Sequence, residues 1–192
     1  MDFSYDNRVF RDVTEYDPDS QADGRYIVAF VESAGEVSPV FEQKVRQIFE
    51  NHLSGVDPGK WYRTGDVAAA FAEINDTVGA ATMKKGGVES ARAVPWPDDT
   101  DTVGTALQTV QEMHREAFRD SELENPAGNY TCRDIGDRVA HVGITEGFPF
   151  APVFAEGVFE QIGRQFGPED GLVQLETTTP HDDEAAAWEM TW

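Results

Sequence analysis

The sequence predicts a mixed α+β fold: an antiparallel sheet built from a C-terminal hairpin, helix, hairpin unit and covered by helices from the N-terminal half. Three observations carry this. Apolar residues between 39 and 119 recur at spacings of three and four, the period of helices with one buried stripe. Residues 130–144 and 172–192 alternate with period two, on either side of one more helical run. A length of 192 residues with 40% hydrophobic content is enough for one ordinary core and too little for a multi-domain enzyme.

Residues 1–24 are acidic and end in the turn-rich DPDSQADG, which predicts a partly ordered N-terminal arm. Its Tyr5, Val9, Phe10 and Val13 are available to dock on the body, a single α/β domain over 25–192. RYIVAFVE, after Gly24, is rich in β-branched and aromatic residues and predicts a strand or extended segment. Ser38 as N-cap and Pro39 at the first helical position open a helix carrying Phe41, Val45, Ile48 and Phe49, to about Leu53. Past the turn residues of SGVDPGKWYRTG, Asp66 caps a second helix with Ala70, Phe71, Ile74 and Val78 as its stripe. That helix is expected to end near KKGG, residues 84–87, where lysines and glycines suit a helix C-terminus.

Pro95-Trp96-Pro97 enforces an extended break. Asp101 or Thr102 then caps a third helix with Val103, Ala106, Leu107, Val110, Met113 and Ala117 on one face, to about Arg119. GNYTCRDIGDRVAHVGI reads as a hairpin turning at residues 135–137. From about Pro152 to Phe166, Phe154, Val158, Ile162 and Phe166 fall four apart. GLVQLETTT, the turn PHDDE and AAAWEMTW form the second hairpin, with Trp188, Met190 and Trp192 two apart.

Charge bounds the habitat and the partners. Against 36 Asp and Glu stand 15 Lys and Arg, only four of them Lys, for a net charge of −21. Acids spread along the whole chain suit concentrated salt, where a Debye length of about 3 Å at 1 M screens their repulsion, so a halophilic source is inferred. The same field disfavours nucleic acid as the main partner. No stretch approaches a membrane span, and MDFSYDNRVF has neither the basic start nor the apolar run of a signal peptide, so a soluble cytoplasmic protein is expected. The single cysteine, Cys132, excludes an internal disulfide and multi-cysteine metal sites.

Several residues are candidates for chemistry. His114, among apolar neighbours on the third helix, offers an imidazole to a haem iron or a proton, or else sits solvated at the edge of the helix face. Arg115, Arg119 and Arg133 are then available to haem propionates. Cys132 and His141 lie on opposite arms of the first hairpin and would make an activated thiol if they faced each other. A buried apolar thiol is the plainer reading. His181, Asp182, Asp183 and Glu184 have metal-ligand chemistry but fall on an expected acidic turn, so no metal site is assigned. Gly157 and Gly163 interrupt a good helix, which points to close backbone approach or clearance for a ligand. Phe154, Phe159, Trp188 and Trp192 either line a pocket or fill the core.

GNYTCRDIGDRVAHVGIT, FPFAPVFAEGVFEQIGRQFG and LVQLETTTPHDDEAAAWEMTW, in that order, resemble the C-terminal part of the 4-vinyl-reductase domain and its relatives, the haem–nitric-oxide-binding domains and small TRAPP-complex subunits. The likeness covers the order of elements over about residues 60–192. It implies a dimeric sensory or scaffolding module holding a small apolar or tetrapyrrole-like molecule between helices and sheet. The haem-sensor signature Tyr-x-Ser-x-Arg is absent, as are cysteines from residues 172–192, so the cofactor stays unassigned, haem included. The expectation is therefore a small-molecule-binding or sensory module, probed through His114, Tyr130, Cys132, His141, Phe154, Gly157, Phe159 and Trp188. The alternatives are a protein-interaction scaffold with a filled core and an enzyme using Cys132 or His114.

Overall fold

The computed structural model describes residues 16–119 and 127–192. Tyr5, Val9, Phe10 and Val13 lie outside them. In chain order the elements are β1 (Gln21–Asp23), α1 (Gly24–Val37), α2 (Pro39–Leu53), β2 (Trp61–Arg63), α3 (Thr64–Thr77), α4 (Ala80–Arg92), α5 (Val103–Glu116), β3 (Phe118–Arg119), β4 (Tyr130–Arg133), β5 (Val139–Thr145), α6 (Pro152–Phe166), β6 (Gln174–Thr177) and β7 (Glu184–Thr191). The two C-terminal hairpins form one antiparallel sheet in the order β4-β5-β7-β6, and α6 connects them, so the mixed α+β architecture is the one expected. A small sheet, β2-β1-β3, has no clear signal in the sequence, because its strands are two or three residues long.

Part of the expected arm packs on the body. Tyr16 is buried and its hydroxyl donates to the Gly147 carbonyl, while Gln21–Asp23 form the central strand of the small sheet. Immediately after, RYIVAFVE is helical, contrary to the strand expected there. Asp23 caps α1 by accepting from the Arg25 N–H, and Ile27, Phe30, Val31 and Ala34 fall on one helical face and are buried. The helical period outweighs the β-rich composition because all four of those residues find core partners on one side.

The second helix of the sequence reading is two helices. Val78 and Gly79 break the chain after α3, and α4 then runs straight through Lys84, Lys85, Gly86 and Gly87. Asp66 lies in the first turn of α3, one position of several where a carboxylate favours a helix start, and Arg63 occupies the cap. The KKGG glycines therefore do not end a helix. A Cβ on Gly87 would stand 2.0 Å from the Phe154 carbonyl oxygen, and one on Gly157 would stand 2.0 Å from the Lys84 carbonyl oxygen. Glycine on both sides lets α4 and α6 cross backbone to backbone, and Lys84 spans the crossing to Glu156 and Glu160, at 3.5 and 3.1 Å.

In the four-stranded sheet, Cys132, Val142 and Trp188 share one register row. Ala140, Val142 and Ile144 of β5, with Trp188 and Met190 of β7, are buried against the helices. Gly163 of α6 leaves space for the Met190 methyl and the Val173 side chain. The outer face carries Arg133, His141 and Glu189, which alternate with the buried row.

Candidate functional site

An apolar cavity of about 460 Å³ opens between α1, α4, α5 and α6. That volume lies within the usual range for small-molecule pockets. Tyr26 and Phe30 of α1, Ala91 of α4, Val110 and His114 of α5, and Phe154 of α6 line it, with Tyr130 from β4 at its base. The extended Val94-Pro95 segment borders the opening, so the proline break after α4 shapes the mouth. Deeper in the fold the interior is closed by phenylalanines: Phe150 stacks on Phe154 at 4.2 Å and meets Phe71 edge-on at 4.4 Å.

His114 is the polar centre of this cavity. The stripe of α5, held by the Thr102–Thr105 capping box at its start, carries the imidazole inward, where it is 3% exposed. The Tyr26 hydroxyl lies 3.2 Å from its Nδ1, and the rings of Phe118, Tyr130 and Phe148 surround it at 5.2–5.4 Å between centroids. Burial pushes its pKa down to about 4, although the carbonyls of Ala127 and Gly128 oppose the shift. Its Nε2 is buried and makes no hydrogen bond. A neutral imidazole with one nitrogen anchored and the other unpartnered has the arrangement of a metal-ligating histidine, whose second nitrogen is ordinarily fixed by a hydrogen bond. It also costs stability, because an unsatisfied buried polar atom loses its hydration without compensation, about 1–3 kcal/mol.

These residues fit a tetrapyrrole in donor and lining. The cationic side differs from the sequence expectation: of Arg115, Arg119 and Arg133, none borders this cavity. Arg119 lies over the Trp61 ring at 3.9 Å and hydrogen-bonds Gln21, while Arg115 and Arg133 line a separate polar depression of about 300 Å³. Arg25 stands at the mouth instead, paired with Asp23.

The other candidates divide among three places. Tyr130 and Phe154 join His114 at the cavity. Phe159 and Trp188 pack together in the core at 5.9 Å, and Gly157 lies at the α4–α6 crossing. Cys132 and His141 do not face each other. Cys132 is paired in register with Val142, so its thiol and the imidazole of His141, one residue earlier, point to opposite faces of the sheet. Burial also pushes the Cys132 thiol up to about 12, the reverse of activation. His141 instead places Nε2 2.7 Å from Glu184. Tyr26 is absent from the sequence-derived candidates because its place on the cavity wall depends on α1 being a helix.

No protein-family model matches the sequence, and no curated protein matches it. Among solved structures the chain is similar in fold to several at about 10% sequence identity. One, described as an oxygen-binding H-NOX domain related to soluble guanylate cyclases, superposes with a TM-score of 0.57 at 10% identity, over 88% of this chain and 92% of that one. The fold is that of the H-NOX domains. A structure from work on haem redox potential and protein-induced porphyrin distortion gives a TM-score of 0.60 at 10% identity, covering 88% of this chain and 99% of that one. An iron(II) unliganded H-NOX point mutant from K. algicida gives 0.59 at 10% identity, over 88% and 94%. Among the described residues no helix is long and apolar enough to cross a membrane.

Proposed function

We propose that the protein is a sensory or ligand-binding module that takes a flat, largely apolar molecule of the tetrapyrrole class into the α1–α4–α5–α6 cavity. The observation that carries this reading is His114, a buried imidazole whose Nε2 has no hydrogen-bond partner, among the residues that line a 460 Å³ apolar cavity. His114 is the axial ligand or polar anchor, Tyr26 fixes its ring through Nδ1, and Arg25 at the mouth meets the acidic edge of the ligand. A bound iron tetrapyrrole would supply a coordination position for a diatomic gas. The likeness to H-NOX domains supports the reading at the level of fold, and the named residues supply its chemistry. The cavity favours binding over the scaffold alternative, since a scaffold has no use for an orphaned imidazole. Association as a homodimer and adaptation to concentrated salt belong to the same proposal.

Hemin titration of the purified protein in molar KCl tests it, with native mass spectrometry to count ligands. One haem per chain is expected. Ala29→Trp, on the exposed side of α1 at the cavity, should lower occupancy while leaving the unfolding transition in place. Equal uptake by both proteins would place binding elsewhere.

A further inference from the structure

On the outer face of the C-terminal sheet, away from the cavity, His141 of β5, His181 of the β6–β7 turn and Glu184 at the start of β7 converge. One donor atom from each lies within 4.8 Å of the others. The two imidazoles meet edge to face at 4.6 Å between centroids. Residues 40 positions apart in sequence are brought together by the β5–β7 pairing, which sets Thr145 opposite Glu184 across a register shift.

Three features make this a built arrangement. The Glu184 side chain is inaccessible to solvent although it starts a surface strand. Its place is cleared by Gly143: a Cβ there would stand 3.0 Å from the Glu184 carboxyl carbon and 2.7 Å from the Thr131 hydroxyl oxygen. The carboxylate is also oriented by outer partners, as ligating carboxylates are, because Thr131 donates to Oε1 and the His181 N–H donates to Oε2 at 2.9 Å. Arg133 is paired with both Oε1, at 3.5 Å, and Asp183, and so approaches the carboxylate from the oxygen that faces away from His141.

We propose that His141, His181 and Glu184 bind one divalent transition-metal ion. Two imidazoles and one carboxylate suit the zinc, cobalt and nickel class and disfavour magnesium or calcium, which take all-oxygen shells. In a tetrahedral site with bonds of about 2.0–2.1 Å, neighbouring donors stand roughly 3.3 Å apart. His141 Nε2 and Glu184 Oε2, now 2.7 Å apart, need to open by only a fraction of an ångström, and the exposed His181 ring closes from the turn. Three protein donors leave a fourth position for water. The ion would tie β5 to the β6–β7 turn. Asp182 and Asp183, part of the acidic run in the sequence, are not in this donor set.

The test is zinc binding by tag-free full-length protein at neutral pH, in excess Mg²⁺ to occupy scattered carboxylates. One Zn²⁺ per chain is expected, and His181→Ala, at an exposed turn, should weaken it at least about 100-fold, the upper end of the loss caused even by outer partners. Co²⁺ should give the intense visible bands of a four-coordinate site in the native protein and lose them in His181→Ala and Glu184→Gln. Zinc binding that is equal in the variants, or that Mg²⁺ abolishes, overturns the proposal. His114→Ala should leave zinc binding unchanged, so failure here and failure of the tetrapyrrole reading are separable.

Discussion

The α4–α6 crossing makes two adjacent glycines respond oppositely to the same substitution. At Gly87 an alanine methyl would meet the Phe154 carbonyl oxygen at 2.0 Å and the Val158 nitrogen at 3.1 Å. Both atoms belong to the α6 backbone, so relief requires the helices to separate by about 1 Å. A contact this short against fixed backbone belongs at the upper end of overpacking costs, about 3 kcal/mol, and the better helix propensity of alanine returns at most about 1 kcal/mol, for a net loss of about 2 kcal/mol. At Gly86 the nearest atoms are ring carbons of Phe154 and Phe41 at 3.7 Å, an ordinary contact. Gly86→Ala should therefore keep the propensity gain of up to about 1 kcal/mol. For a chain of this size each kcal/mol moves Tm by about 2–4 °C. The expectation is a rise of about 2–4 °C for Gly86→Ala and a fall of about 4–8 °C for Gly87→Ala, read by calorimetry in molar salt. Equal losses at both positions, or an unaffected Gly87→Ala, would refute the backbone-contact reasoning.

Three further outcomes follow from the site and the charge. The His114 pKa is depressed from about 6.5 unfolded to about 4 folded, so the unfolded chain binds the extra proton. Stability should fall as pH drops from 6.5 towards 4, by about 3 kcal/mol, and level off for this group below 4, whereas His114→Gln should flatten that limb in urea titrations. The Cys132 thiol, pushed up to about 12, should resist a disulfide reagent at pH 8 in the native state and react on unfolding. Fast labelling of the native protein would contradict the raised pKa of this half-buried thiol. With a net charge of −21, Tm should rise from dilute buffer to molar KCl as repulsion is screened, and no change would count against the salt adaptation.

The parts of the fold that were legible are those where period and punctuation agree. Ser38-Pro39 starts α2 as a side-chain cap should, Thr102 does the same for α5, and Trp188 and Met190, two apart, mark β7. α1 was hidden because its β-branched composition masks a stripe that only a helix makes continuous. The passage of α4 through KKGG sets Gly87 against a carbonyl of α6, a contact between distant segments that no local pattern signals. His114 was visible as a histidine among apolar neighbours, but Tyr26 became its partner only once α1 was folded. His141 and Cys132 looked paired by arm, and one residue of register put them on opposite faces. The acidic run at 181–184 had metal chemistry without geometry until His141 joined it from β5.

The central claim is that His114 holds the ligand, and the absorption spectrum of hemin-loaded protein tests it most directly. Native protein should show the spectrum of a histidine-ligated haem, His114→Gly should lose it, and added imidazole, entering the vacated space, should restore it. An identical spectrum in His114→Gly without imidazole, or no haem uptake by native protein, would contradict the account.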